Sequence, residues 1–234
     1  MQVLAFDSAT SACSCALWRD GDIVAHRFET MVRGHGERLM GMVRAVMADA
    51  DADFADIDLI AVTHGPGGFT GLRISLAAAR GLALAGNLPC LGVSTLEAVA
   101  AGVPDSEGEG ACVLAAIDSK RGDIYAQIFS GADPLADAEA MPPENLAGLL
   151  NARETPSGGP VVVVGDAMER AIAALRDDGV DAVASAAPPL PDARTVAAMA
   201  AARWSPENST ESLRPLYLRS PDAIVPQNGG RLRP

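Results

Sequence analysis

Two short stretches carry residue types that can hold an anion. The first is Asp7-Ser8-Ala9-Thr10-Ser11, which ends the apolar run beginning at Gln2. Small polar residues in a turn between strands offer backbone N–H groups and hydroxyls to a phosphate. A carboxylate beside them can hold a metal ion or its waters. The same composition also builds an ordinary hairpin turn. The second stretch is Gly65-Pro66-Gly67-Gly68-Phe69-Thr70-Gly71, with Arg73 just beyond it. Its glycines let backbone approach a ligand closely, and it feeds a helix N-terminus, whose free N–H groups attract anions. The spacing matches neither common phosphate loop. No Lys follows the glycines as a Walker loop needs, and a dinucleotide loop starting at Gly65 would require Gly in place of Thr70. Tight strand-to-helix packing is the competing use of such glycines.

Other chemistries find little support. The three histidines, His26, His35 and His64, form no H-x-x-x-H or H-E-x-x-H pair, so a helix-borne zinc site is not expected. His64 beside Gly65 is placed like an oxyanion-loop residue, yet no G-x-S-x-G elbow supplies a nucleophile. His35 opens a helix and reads as a capping or interface residue, and His26 lies in a partly exposed strand. Cys13, Cys15, Cys90 and Cys112 match no C-x-x-C pattern. Cys13 and Cys15 share one face of a strand and read as small buried hydrophobes.

These residues need elements to position them. Hydrophobic residues make up 49% of the 234-residue chain and charged ones 21%, the balance of a globular protein, but aromatics are only 4%, so the core must be built from small side chains. Strands are expected over 2–7, 14–19 and 23–30, with Asp20-Gly21 as a hairpin turn. A helix over 35–50 follows, then a strand over 59–63, a helix over 72–85, a strand over 91–93 and a helix over 95–101. After a loop at 106–110 the pattern restarts. Strands are expected over 112–118 and 124–130, a helix near 144–150, a strand over 161–164, and helices over 166–176 and 195–204. The stretch 213–234 reads as extended, ordering only against another surface. Two α/β lobes are implied, 1–102 and a smaller 103–234.

Charge and hydropathy narrow the partners. With 30 acidic and 18 basic residues the net charge is −12. Nucleic-acid binding draws much of its strength from Lys and Arg on phosphates, so RNA is expected to be carried by a partner. No apolar run reaches the roughly 18 residues of a membrane span. Met1 is followed at once by a strand, without a basic leader, and a cytoplasmic protein with no membrane attachment is expected. In the helix over 72–85 only Arg73, Ser75 and Arg80 interrupt an apolar, alanine-rich surface, whereas a surface helix normally shows a polar face. Met40 and Met47 on the preceding helix suit an adaptable contact. The two helices read as a subunit interface, with burial between the lobes as the alternative. The interface residues would be His35, Leu39, Met40, Val43, Met47, Leu72, Arg73, Leu76, Ala79 and Arg80.

Several motifs together resemble one family. They are Val3-Leu-Ala-Phe-Asp-Ser-Ala-Thr10 with Cys13-Ser-Cys-Ala-Leu17, His35 with Leu39, the glycine loop continued through Leu72-Arg73-Ile74, and Gly81-Leu-Ala83. Gly92-Val-Ser-Thr-Leu-Glu97, Ala116-Ile-Asp-Ser-Lys-Arg-Gly-Asp-Ile-Tyr125 and Pro215-Leu-Tyr-Leu-Arg219 complete the set. The chain resembles the TsaB (YeaZ) family over nearly its whole length, least distinctly over 131–190. The resemblance implies an α/β, actin/Hsp70/sugar-kinase-like (ASKHA) two-lobe fold. It implies a non-catalytic subunit that pairs through the two helices with a TsaD-like transferase, joined by a TsaE-like ATPase. That complex installs N6-threonylcarbamoyladenosine beside the anticodon of tRNA. The chain would meet tRNA only through the complex and would form a homodimer when alone. Asp7, Thr10, Ser11, Gly65, Gly67 and Gly68 would be remnants of nucleotide binding, with no cofactor held tightly by this chain and ATP or ADP bound, if at all, in the assembled complex. The TsaD paralogue carries V-N-H-M-E-G-H after a similar loop. Aligned with it, Thr95 and Val99 replace the two metal-binding histidines, and Glu97 alone makes a poor metal site. Asp123 stands where the family usually has Glu. The alternatives are a small phosphotransferase of the same fold class, an M22-type metallopeptidase, and a regulator of partners outside tRNA modification.

Overall fold

In the computed structural model, which describes residues 1–131, 133–152, 159–205 and 213–219, the chain opens as an antiparallel meander. β1 (Gln2–Asp7), β2 (Ala12–Arg19) and β3 (Asp22–Thr30) are followed by α1 (His35–Asp49), β4 (Leu59–Gly65), α2 (Phe69–Gly86), β5 (Cys90–Ser94) and α3 (Thr95–Ala100). β4 and β5 join in parallel, giving the order β3-β2-β1-β4-β5. The pattern then repeats. After the single turn α4 (Asp105–Gly108) come β6 (Cys112–Asp118), β7 (Ile124–Ser130), β8 (Asp133–Pro134), β9 (Glu139–Met141) and α5 (Leu146–Asn151). β10 (Val161–Val164), α6 (Met168–Asp177), β11 (Ala182–Ala184) and α7 (Ala193–Arg203) complete it. The second sheet runs β11-β10-β6-β7-β8, again an antiparallel hairpin beside two parallel strands, with β9 also on β7. Two lobes of like topology are the actin/Hsp70/sugar-kinase-like fold.

Helices cover both faces of each sheet, so the central strands are mostly apolar, and their apolar residues alternate by size instead of polarity. Leu4 and Phe6 of β1, Cys13, Cys15 and Leu17 of β2, and Ile60 and Val62 of β4 point to α1 and α2, which contribute Leu39, Met42, Val43, Val46, Leu76 and Ala79. Val3, Ala5, Ala16 and Ala61 point the other way, onto Ala193, Val196, Ala197 and Ala200 of α7. Alanine facing alanine lets that helix lie close to the sheet. Between the lobes sits α3, whose Ala98 joins the first-lobe core while Leu96, Val99 and Ala100 pack on Val113, Ala115 and Ile117 of β6.

One element from beyond the 102/103 boundary lies against the first sheet. α7 belongs to the second half of the chain but packs on β1, β2 and β4. It is pinned there by the Ala193 N–H to Ser14 Oγ bond (3.0 Å) and by His26 against Asp192 (2.9 Å). Other expectations shift only locally. α2 starts at Phe69, three residues early, with Leu72 N–H donating to Gly68 O (2.9 Å). The short strands β8, β9 and β11 carry too few residues for a period-2 signal. The loop expected at 106–110 holds one helical turn.

The two faces of α2 give a direct test. Leu76 is 2% exposed in the core and Leu84 is 85% exposed. Leu76→Ala should cost about 2–5 kcal/mol in urea denaturation, whereas Leu84→Ala should stay within about 0.5 kcal/mol. Equal losses would contradict this helix orientation.

Candidate functional site

The β1–β2 turn and the start of α2 meet at one edge of the cleft between the lobes. Thr63 Oγ1 and the Ala9 N–H both donate to Asp7 Oδ1, the latter at 3.0 Å. Asp7 is fully buried beneath the turn, and its Oδ2 has no partner. Burial pushes the carboxyl up to about 7, although the two donated hydrogen bonds favour ionisation. Above it, the Gly68 N–H donates to the Ala9 carbonyl at 2.7 Å, and Ser8 Oγ donates to the Gly71 carbonyl at 2.9 Å. A Cβ on Gly71 would overlap the Ser8 carbonyl, and one on Gly67 would overlap that of Ala9. The glycines are thus filled by the chain itself. At the helix entrance, the Gly68 N–H that could face an anion is already bonded to the β1–β2 turn.

The cleft has a volume of about 640 Å³. Its first-lobe wall includes Thr10, Ser11, His35, Gly67 and Gly68. His35 Nε2 reaches the Thr10 carbonyl (3.0 Å), so the first residue of α1 braces the turn. Gly65 is not in this wall. It has φ +119°, and a Cβ there would lie 2.7 Å from the Leu216 carbonyl on the loop's other side. Of the six residues read as nucleotide remnants, four line the cleft, Asp7 is sealed below it, and Gly65 packs behind it.

The facing wall comes from the second lobe and was missed in the candidate set. Asp118, Ser119, Lys120 and Asp166 line it. Asp166 Oδ1 accepts the Asp118 N–H (2.7 Å), and Lys120 Nζ lies 3.2 Å from Asp118 and 3.3 Å from Asp166. Arg170 adds a second cation 3.2 Å from Asp118. Burial alone would raise Asp118, but the Lys120 N–H and ammonium, with Arg170, hold it below the usual carboxylate range. A sequence signal was available: Val3-Leu-Ala-Phe-Asp-Ser8 and Leu114-Ala-Ala-Ile-Asp-Ser119 are the same strand end written twice.

The proposed interface set divides sharply. Leu39, Val43, Leu72, Leu76 and Ala79 face the chain's own core, because apolar residues at helical spacing cover α1 and α2 on the sheet side first. His35 and Met47 are half-buried, and Met40, Arg73 and Arg80 are exposed. Leu84, absent from that set, is the most exposed large apolar residue of α2.

Positions 95, 97 and 99 have structural uses. Thr95 and Val99 are buried in α3. The Glu97 carboxylate accepts the Ser94 N–H (3.3 Å), closing the helix start, and pairs with Arg203 (2.9 Å). No cluster of three His, Cys, Asp or Glu able to hold a metal ion occurs among the described residues. Cys13, Cys15 and Cys112 are buried, and burial pushes the Cys13 thiol up to about 12 and that of Cys112 up to about 11.

Comparison with known proteins adds an independent line. The family model described as "TsaD: tRNA N6-adenosine threonylcarbamoyltransferase" matches residues 23–223. The tRNA threonylcarbamoyladenosine biosynthesis protein TsaB of Escherichia coli is 46% identical over 125 residues, 53% of each chain, so the match spans about half the length of that curated relative. An uncharacterized protein of Mycobacterium tuberculosis is 32% identical over 224 residues, 94% of this chain and 93% of that one. The solved structure of YeaZ from Pseudomonas aeruginosa superposes with a TM-score of 0.76 at 30% identity, covering 93% of this chain and 99% of the other.

Asp7 makes the turn's energetics testable. Its carboxyl titrates near 7 when folded against an ordinary 3.8, so the native state binds the proton more tightly. The resulting stability is complete below about pH 4 and is lost as pH rises through about 7. In urea titrations from pH 4.5 to 9, wild type should lose ~1–4 kcal/mol relative to Asp7→Asn, levelling off above about pH 8. A gap that does not change with pH would rule out this titration.

Proposed function

The chain belongs to the TsaB/YeaZ family, and from that premise we propose that it serves tRNA threonylcarbamoyladenosine biosynthesis as a non-catalytic subunit paired with a TsaD-like transferase. The observation that carries the non-catalytic part is the fate of positions 95, 97 and 99. Where the paralogue would hold its metal, this chain has two buried side chains, Val99 packed between the lobes, and a carboxylate committed to a helix cap and an ion pair. Releasing Glu97 would expose the Ser94 N–H and leave Arg203 without this partner, so recruiting it for catalysis would cost stability.

Pairing is supported by the outer surface of α1 and α2. Met40 is 40% exposed and Leu84 is 85% exposed, and Ala77 and Gly81 lie on the open side of α2 between Arg73 and Leu84. Small residues flanked by apolar ones allow a second helix pair to approach closely. A homodimer through this face is the state proposed for the chain alone, re-sorting to a heterodimer when the transferase is present. A TsaE-like ATPase would join that pair. With a net charge of −12, the chain would leave most phosphate contacts of tRNA to its partner. Nucleotide, where it takes part, would belong to the assembled complex, since the Gly68 N–H is already bonded within this chain. The proposed location is the cytoplasm; no helix among the described residues is long and apolar enough to cross a membrane.

Leu84→Glu places a charge on this face, near the C-terminal end of α2, without touching the core. Light scattering coupled to size-exclusion chromatography should show wild type re-sorting into a one-to-one pair with the TsaD-like protein of the same organism. The variant should lose at least tenfold in affinity while keeping its melting temperature. Unchanged co-elution of the variant would refute this face as the interface.

A further inference from the structure

Residues 213–219 run along the back of the glycine loop, and the first lobe grips them at several points. Arg80 of α2 donates to the Leu213 carbonyl. The Leu216 N–H donates to the His64 carbonyl at 2.8 Å, and the Leu216 carbonyl fills the space beside Gly65. The Tyr217 ring stacks on Phe69, with centroids 5.8 Å apart, and its hydroxyl accepts from Arg73 Nε at 3.0 Å. The Arg73 guanidinium also lies 3.6 Å from the centroid of Phe69.

Arg219 then leaves the first lobe. Its guanidinium stands 3.0 Å from Asp123, in the turn between β6 and β7. Ser119 ties that turn shut, its N–H and Oγ both donating to the Asp123 carbonyl, at 3.3 and 2.8 Å. The same turn carries Lys120 into the cleft. Whatever holds Asp123 therefore also holds the second-lobe wall.

We propose that residues 213–219 are a clasp that sets the spacing of the two lobes and so the width of the cleft. Among the described contacts the grip is unequal at its two ends. Hydrogen bonds, a stacked ring and a filled glycine fix it to the first lobe, whereas the Arg219–Asp123 ion pair, about 30% exposed on each side, reaches the second. Opening would break the contact at Asp123 while the first-lobe contacts stay made. Behind the cleft the lobes are joined by α3 and by the chain leading into α7, an arrangement suited to hinge motion. A partly exposed ion pair biases such an equilibrium by only ~2–5-fold, which suits a clasp that opens and closes.

The test is pulsed electron paramagnetic resonance between spin labels on Ala48→Cys in α1 and Asp178→Cys just past α6, both exposed, in a full-length chain with Cys90→Ala. Arg219→Ala and Asp123→Ala should each raise the population at the longer separation about 2–5-fold. The exchanged pair, Arg219→Asp with Asp123→Arg, should return it toward wild type. Circular dichroism checks that every variant is folded. Unchanged distance distributions in both single variants would overturn the clasp and leave the segment as a cover for Gly65.

Discussion

The end of β1 must pass within hydrogen-bonding distance of the first turn of α2, and much of the first lobe follows from that approach. Gly68 N–H to Ala9 O and Ser8 Oγ to Gly71 O leave no room for a side chain at positions 67 or 71. The same approach carries Asp7 out of solvent, where Thr63 and the Ala9 N–H offset only part of its desolvation. It also sets the direction of α2. With its first turn held at the β1–β2 turn, the helix lays Leu72, Leu76 and Ala79 on the sheet and leaves Ala77, Gly81 and Leu84 outside.

Repetition of the strand pattern accounts for the second wall of the cleft. β6 repeats β1, and the turn after Asp118 faces the turn after Asp7 across the gap. The two copies have diverged in how they treat the carboxylate. Asp7 is fully buried with one oxygen unpartnered, while Asp118 is half-buried beside Lys120, Arg170 and the Lys120 N–H. One is pushed toward the neutral form and the other held ionised. Two equivalent positions in a repeated fold thus carry different charge near neutral pH, a product of surroundings and not of residue type.

The fold was legible in the sequence because its central strands are short, mostly apolar and bounded by turn residues: β1, β6, β7 and β10 fall where the pattern puts them. The faces of the helices were harder to read. An alanine-rich helix such as α2 has weak contrast between its sides, so Leu72, Leu76 and Ala79 looked as available to a partner as Leu84. Only packing distinguishes them. The position of α7 was not legible either, because alanines matched to Ala5, Ala16 and Ala61 announce close packing without naming the sheet. Asp118 could have been found from its repeat of Asp7. The seat of residues 213–219 depends on distant partners, Arg80, His64 and Asp123, which no local pattern connects. Positions 220–234, also read as extended, lie outside the described residues.

A glycine loop before a helix is commonly read as a phosphate cradle, because glycine permits close approach. Close approach by what is a separate question, and the space a Cβ would fill answers it. At Gly67 and Gly71 that space holds the β1–β2 turn, and at Gly65 it holds Leu216. These are backbone atoms of the chain itself, so a side chain at any of the three positions would force strands and helix apart whether or not a nucleotide ever binds. Packing alone is enough to keep the loop's residues in place. A glycine loop of this kind is therefore poor support for an activity by itself.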